Sequence, residues 1–433
     1  MNRTRIYILL LAAVSCRAAA EEPAVLTLEG CREAAVIHSP LTDRQALAGE
    51  KRQAKDRVAS AALLPQLEVN AQASYQNKTV NFPGDLPVPI TLDLPRDQYK
   101  ATVDLNQVIY GGGSVRNAKR NNEAAEQVET ASLAVQIDRL RDRVDEAYLR
   151  ILLTDRQLKV NGLMQQTLAA DMKTVEARIA NGTATGGAQA ALTARLLELQ
   201  QQQTELHGTR RQAIETLSVL TGLPVTEETV LQVPAVPVEE PAEAETGNET
   251  FAGRTELQLY ARQREQLDVQ DKLLNSQSLP KISLFASGGY GRPGYNFLDR
   301  DFDLMAIGGL RLHVPLTAWA ETQRGKRANR IAQLDLAQQQ RDFEQNASIE
   351  VAQYRTEIEQ LRRITAMDTQ IVAARTAVRE RALAQFNGGM ITYSEYLTEF
   401  NNETAARIQA ETNALRLVRA WIGYEAARGI YER

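Results

Sequence analysis

The sequence predicts a mainly α-helical chain that also carries membrane-type β-strands, built as a tandem duplication and completed only by further copies of itself. Three observations carry this prediction. A unit recurs at a nearly constant offset, four segments alternate apolar and polar residues, and two proline-free runs are long enough to form rods.

The repeat sets the organisation of the chain. Leu64-Pro65-Gln66-Leu67 returns as Leu279-Pro280-Lys281-Ile282, Gly113–Lys119 returns at Ala320–Lys326, and Val144 returns as Val351. Asn181-Gly182-Thr183 matches Gly388-Gly389-Met390, and Gly222 matches Gly429. A chance resemblance would not hold one register over such a distance. The expected divisions are a signal peptide at 1–20, a first repeat at 21–222, a Pro/Glu-rich linker or equatorial segment at 223–252, and a second repeat at 253–433.

At the N-terminus, Arg3 and Arg5 precede the short apolar stretch Ile6–Val14, and Ala18-Ala19-Ala20 fits a cleavage site, the pattern of a secretion signal. Ala13-Val14-Ser15-Cys16 faintly resembles a lipoprotein box, which makes Cys16 a candidate lipidation site beside simple removal with the signal. Cys31 then remains as the one other cysteine, expected as a small buried hydrophobe on the first helix.

The first pair of strands is expected at 66–76 and 98–110. Leu67, Val69, Ala71, Ala73 and Tyr75 alternate with Gln66, Glu68, Asn70, Gln72 and Ser74; Tyr99, Ala101, Val103, Leu105 and Ile109 alternate with Lys100, Thr102, Asp104 and Asn106. The second pair is expected at 281–291 and 302–315, with Ile282, Leu284, Ala286 and Tyr290 on one face, and Phe302, Leu304, Ala306, Leu310, Leu312 and Val314 on the other strand's apolar face. An ordinary half-buried sheet would give the same alternation. These segments, however, have the length of tilted membrane strands, which need roughly 9–11 residues. Tyr75, Tyr99, Tyr290 and Phe302 also fall at matching ends, as an interface girdle would. The polar faces, with His313 among them, are then expected to line a lumen.

From Ser114 to Ala180 there is no proline and a single glycine, Gly162; Leu133, Ile137, Leu140, Val144, Ala147 and Ile151 form a coiled-coil seam. A second run extends from Glu321 to Phe386, with Ala347, Val351, Tyr354, Ile358 and Leu361 in the same role. At 1.5 Å per residue each rod would extend roughly 100 Å. Each ends in a glycine-marked turn, at 181–187 and 387–392, from which a helix returns. The stretch Leu223–Thr250 holds prolines and glutamates with no lysine or arginine, and reads as a solvated linker or a belt around the helices.

Four strands cannot close a membrane barrel, and free strand edges in lipid leave unpaired backbone groups at several kcal/mol each, so at least two chains must share one barrel. The three histidines show no metal-ligand spacing, and no nucleophile motif or phosphate-cradling loop is present, so no enzyme activity and no cofactor are expected. A net charge of −4 argues against nucleic acid as a partner. The competing reading is a non-channel periplasmic coiled-coil adaptor or scaffold, which would not show four amphipathic strands in two matched pairs.

Thr27-Leu28-Glu29, His38-Ser39-Pro40, the Leu-Pro before each first strand, and Tyr110-Gly111-Gly112-Gly113 stand in the order found in the TolC-like outer-membrane efflux family, which the chain resembles over about residues 25–429. That resemblance implies a homotrimer with a 12-stranded β-barrel in outer-membrane lipid on a long periplasmic α-helical barrel. It also implies a passive exit duct for efflux or secretion, a periplasmic adaptor (membrane fusion) protein, and an inner-membrane efflux pump or ABC transporter. By the same resemblance Glu395, with Glu399 one turn on, is the candidate periplasmic gate, the family's second acidic position being Thr398 here. Gly182, Thr183, Gly389 and Met390 are the candidate adaptor-docking turns, on the strength of their matched positions at the rod tips.

Overall fold

The computed structural model describes residues 25–78, 96–181, 186–238, 253–296 and 301–430. The expected signal peptide, with Cys16, lies outside them, as do Gly182 and Thr183. In chain order the elements are α1 (Leu28–His38), α2 (Pro40–Ala61), β1 (Gln66–Tyr75), β2 (Asp97–Tyr110), α3 (Ser114–Ala180), α4 (Gly186–Thr221), α5 (Thr255–Gln277), β3 (Lys281–Arg292), β4 (Asp303–His313), α6 (Ala318–Asn387) and α7 (Tyr393–Arg428). The order helix, two strands, rod, returning helix occurs twice. The returning helices α4 and α7 have 36 residues each, and both stop at a positive-φ glycine, Gly222 (φ 69°) and Gly429 (φ 72°). Glycine takes this left-handed conformation without the Cβ clash that other residues meet.

Two compact units divide the described residues, one drawn from those within 25–39, 140–238 and 355–422, the other from those within 40–139, 253–354 and 423–430. The second unit holds the sheet, whose order is β1-β2-β3-β4 with every neighbour antiparallel. Pro315 and the glycines after Tyr110 end the ladder where the rods begin. In this unit α2 is tied to the start of α3 by Lys51–Glu129 (2.8 Å) and by Asn122 donating to Asp56 (2.9 Å). Its counterpart α5 is tied to the start of α6 by Asn329 donating to Asp271 and Gln333 donating to Asp268, both at 2.7 Å. The Asn122–Asp56 bond therefore recurs as Asn329–Asp271 at the duplicate positions.

The first unit is helical. Its core includes Cys31, Ala35, Val144, Tyr148, Ile151 and Leu217, and a second cluster joins Leu168, Leu192, Leu199, Phe386, Tyr396 and Phe400. The seam read from the sequence is almost fully covered: Val144 and Ile151 on α3 with Ile358 and Leu361 on α6 in this unit, and Leu133 and Val351 in the other. Burial of each such side chain contributes about 1.5–3 kcal/mol. Burial also pushes the Cys31 thiol up to about 11, which leaves it an inert hydrophobe. A two-pronged pair joins Arg32 to Asp145, with both N···O distances 2.7 Å.

Residues 223–238, expected as a linker or a belt, lie against these helices. Leu26 bridges Leu231 in parallel, the Tyr148 hydroxyl lies 2.8 and 2.6 Å from the carbonyls of Leu26 and Gln232, and Arg362 donates to the carbonyls of Pro237 and Val238. Val225 and Leu231 enter the core, so apolar residues every few positions hold the stretch despite its charge and prolines.

Candidate functional sites: the sheet and the inner tips

The sheet turns its apolar side outward, as a soluble sheet would not, and the contrast between the two sides is sharpest along β2. Along β2 the polar Thr102 is 7% exposed while its neighbour Val103 is 53% exposed; Leu67, Val69, Leu304, Leu310 and Leu312 also face outward. On the sheltered face Asp104 accepts hydrogen bonds from Asn70 (2.7 Å) and Thr102 (3.1 Å). Glu68 stands directly opposite Asp104, and the position that duplicates this pair is Ser283 opposite Arg311. Gly289 permits the close strand contact on that face, since a Cβ there would meet the Ala101 carbonyl at 2.2 Å. Among the described residues β1 and β4 have no strand on their outer edges.

The four expected interface aromatics sit at one end of the sheet. Phe302 stacks on Tyr99 (6.1 Å) and on Tyr290 (5.5 Å), and Tyr75 pairs with Asp97 at the same end. At the opposite end are two exposed aromatics that the sequence reading did not assign to an interface, Tyr110 at the foot of β2 and Trp319 at the head of α6. Aromatics at both ends of an alternating strand are the signal that would have found them. From Tyr99 to Tyr110 a strand rises roughly 36 Å, or about 25 Å along the normal when tilted ~45°, the height of a barrel's apolar band.

At the far end of α6 the turn closes in a Schellman motif: Gly389 (φ 73°) is in the left-handed region, Met390 N–H bonds the Gln385 carbonyl (2.9 Å) and Gly389 N–H bonds that of Phe386 (3.0 Å). Met390 is 73% exposed. Glu395 is part of a capping box with Thr392. The Thr392 N–H (2.7 Å) and hydroxyl (2.9 Å) donate to its carboxylate, and the Glu395 N–H returns a bond to the hydroxyl (3.3 Å). These bonds hold its carboxyl below the usual range. Glu399 lies 3.6 Å from Arg375 and accepts from Asn402. Both candidate gate residues thus have partners in their own chain, and Thr-x-x-Glu was a legible capping signal.

Sequence reasoning missed the buried ties behind that turn. Arg178, in the last turn of α3, lies over the Phe386 ring (4.8 Å) and donates to the Phe386 and Asn387 carbonyls. The Tyr396 hydroxyl donates to Asp171. Glu403 is buried between Arg379 (2.7 Å), Arg407 (2.7 Å) and the Thr376 hydroxyl (2.9 Å). Partners of this kind lie on different helices and leave no local pattern.

Residues 33–223 match the outer membrane efflux protein family. In structure the chain is similar to VceC of Vibrio cholerae (17% identity, 93% of this chain and 96% of that one, TM-score 0.67) and to the CmeC outer membrane channel of Campylobacter jejuni (13%, 94% and 86%, 0.68). It is also similar to the open state of the MtrE outer membrane channel of Neisseria gonorrhoeae (16%, 93% and 88%, 0.67). The fold is that of the TolC-like outer-membrane efflux proteins. Among curated proteins none matches in sequence. CmeC and MtrE are outer membrane channels. This chain supplies one four-stranded sheet, and among the described residues no helix is long and apolar enough to cross a membrane.

Proposed function

We propose that the protein is an outer-membrane channel subunit, three copies of which form a passive exit duct fed by an inner-membrane transporter through a periplasmic adaptor. The inverted sheet carries this reading. An apolar face turned outward, a hydrogen-bonded polar face turned inward and two free edges suit a barrel in lipid shared between chains. The polar face would line the duct, and the two aromatic bands would meet the two lipid interfaces. The exposed turn at 387–392 suits adaptor docking, and Glu395 and Glu399 would narrow the inner mouth in addition to their bonds within the chain.

Val103→Asp and Leu310→Asp test the reading. Each would turn a carboxylate toward lipid, at about 2–4 kcal/mol or somewhat less near mid-bilayer. The expected result is loss of membrane-extracted trimer for both; normal trimer yield from both would refute the barrel.

A further inference from the structure

Asp171, on α3, stands among the aromatic residues near the turn end of the rods. The residue is 8% exposed, and its one hydrogen bond to a side chain is from the Tyr396 hydroxyl on α7. The groups facing it are Tyr396 and Tyr393 from α7, and Arg379 from α6, whose charge is already engaged by Glu403 at 2.7 Å. From α4 the same cluster presents Ala188, Leu192 and Leu199, all apolar.

Two further observations bear on its role. The duplicate position of Asp171 is Val378, which is exposed, so the second copy has neither an acid nor a buried site there. The Tyr393 hydroxyl is buried, lies near Asp171, and has no hydrogen-bond partner among the described residues. A buried polar atom left in this way is costly. An ionised Asp171 is a nearly dry carboxylate without an ion pair of its own. A protonated Asp171 removes that buried charge while an oxygen still accepts from Tyr396.

We propose that Asp171 is a proton-responsive joint, which in its protonated form fastens the start of α7 to α3 and in its ionised form loosens that junction. Burial raises the carboxyl above its ordinary value near 3.8 despite the Tyr396 bond and the nearby Arg379 charge, both of which favour the ionised form. A group raised in the closed joint stabilises closure fully below its ordinary value, and that contribution is lost as pH rises through the raised one. Acid therefore tightens the joint and neutral pH frees it. The helix so held is the one that begins at the Thr392–Glu395 cap, so a periplasmic proton would act on the inner end of the chain with no charge at Glu395 changing.

The test is amide hydrogen exchange over residues 393–403 in the detergent-extracted full-length assembly, from about pH 4.5 to about pH 8, after correction for intrinsic exchange rates. Opening should become less frequent as pH falls, approaching roughly tenfold per pH unit across the titration of Asp171. Asp171→Asn, an uncharged mimic, should show the corrected protection without the pH dependence, and Asp171→Val, copying the duplicate position, should also lose the pH dependence if the amide fails to assemble. Equal corrected protection across the range in the unaltered protein would overturn the proposal. So would pH dependence that survives in either variant.

Discussion

At the scale of single residues, the inner end pairs two buried carboxyls of opposite character. Burial raises both, but at Glu403 the bonds from Arg407, Thr376 and Arg379 outweigh it and hold the carboxyl below its ordinary value near 4.5. Its stabilisation is present above that value and is lost as pH falls through the depressed one, the reverse of Asp171. Glu403→Gln should reduce stability by about 1.5–3 kcal/mol at neutral pH, since hydrogen bonds to charged groups are lost and two arginines remain. Chemical denaturation at neutral pH and below about pH 4 would measure this, with the difference between variant and parent shrinking in acid. Glu395 calls for a different measurement. If it also narrows a duct, replacing Glu395 and Glu399 by Gln should lower cation selectivity in planar bilayers, and the preference of the parent should weaken in high salt. An unaltered current–voltage curve would leave Glu395 as a helix cap and Glu399 as a partner of Arg375.

At the scale of elements, most of the fold was legible. The strands were expected at 66–76, 98–110, 281–291 and 302–315 and occur at Gln66–Tyr75, Asp97–Tyr110, Lys281–Arg292 and Asp303–His313. Alternation of period two and sharp Pro and Gly punctuation gave those limits, because side chains on successive strand residues must face opposite ways. The first rod was legible to the residue, since only a helix tolerates such a run without turn signals. What stayed hidden was chemistry between elements. Tyr396 and Asp171 lie 225 positions apart, and nothing local to either sequence announces the other. The packing of 223–238 was hidden for another reason: its composition resembles solvated chain, while Leu231 and Val225 supply only sparse anchors. Docking belongs to this scale too. A bulky residue at Gly389 would strain a left-handed position as well as alter the surface, so loss of export there is ambiguous. Met390→Asp changes the exposed surface without that strain. It should abolish export while trimers persist, and export that continues would move docking away from this turn.

At the scale of the whole molecule, duplication and association have complementary effects. The repeat supplies two strand pairs and two helical hairpins per chain, and among the described residues the edges of β1 and β4 are left open. In lipid those edges must pair with further copies, because no water is available to satisfy their backbone groups. The same duplication lets the copies diverge where geometry allows. The Glu68–Asp104 pair became Ser283–Arg311, and Asp171 stands where the second copy has Val378. Central to the account is that three chains complete one barrel. Native mass spectrometry of protein extracted from outer membranes in mild detergent tests this most directly. The account predicts one species at three times the mass of the mature chain, lost in Val103→Asp; a stable, membrane-extracted single chain would contradict it.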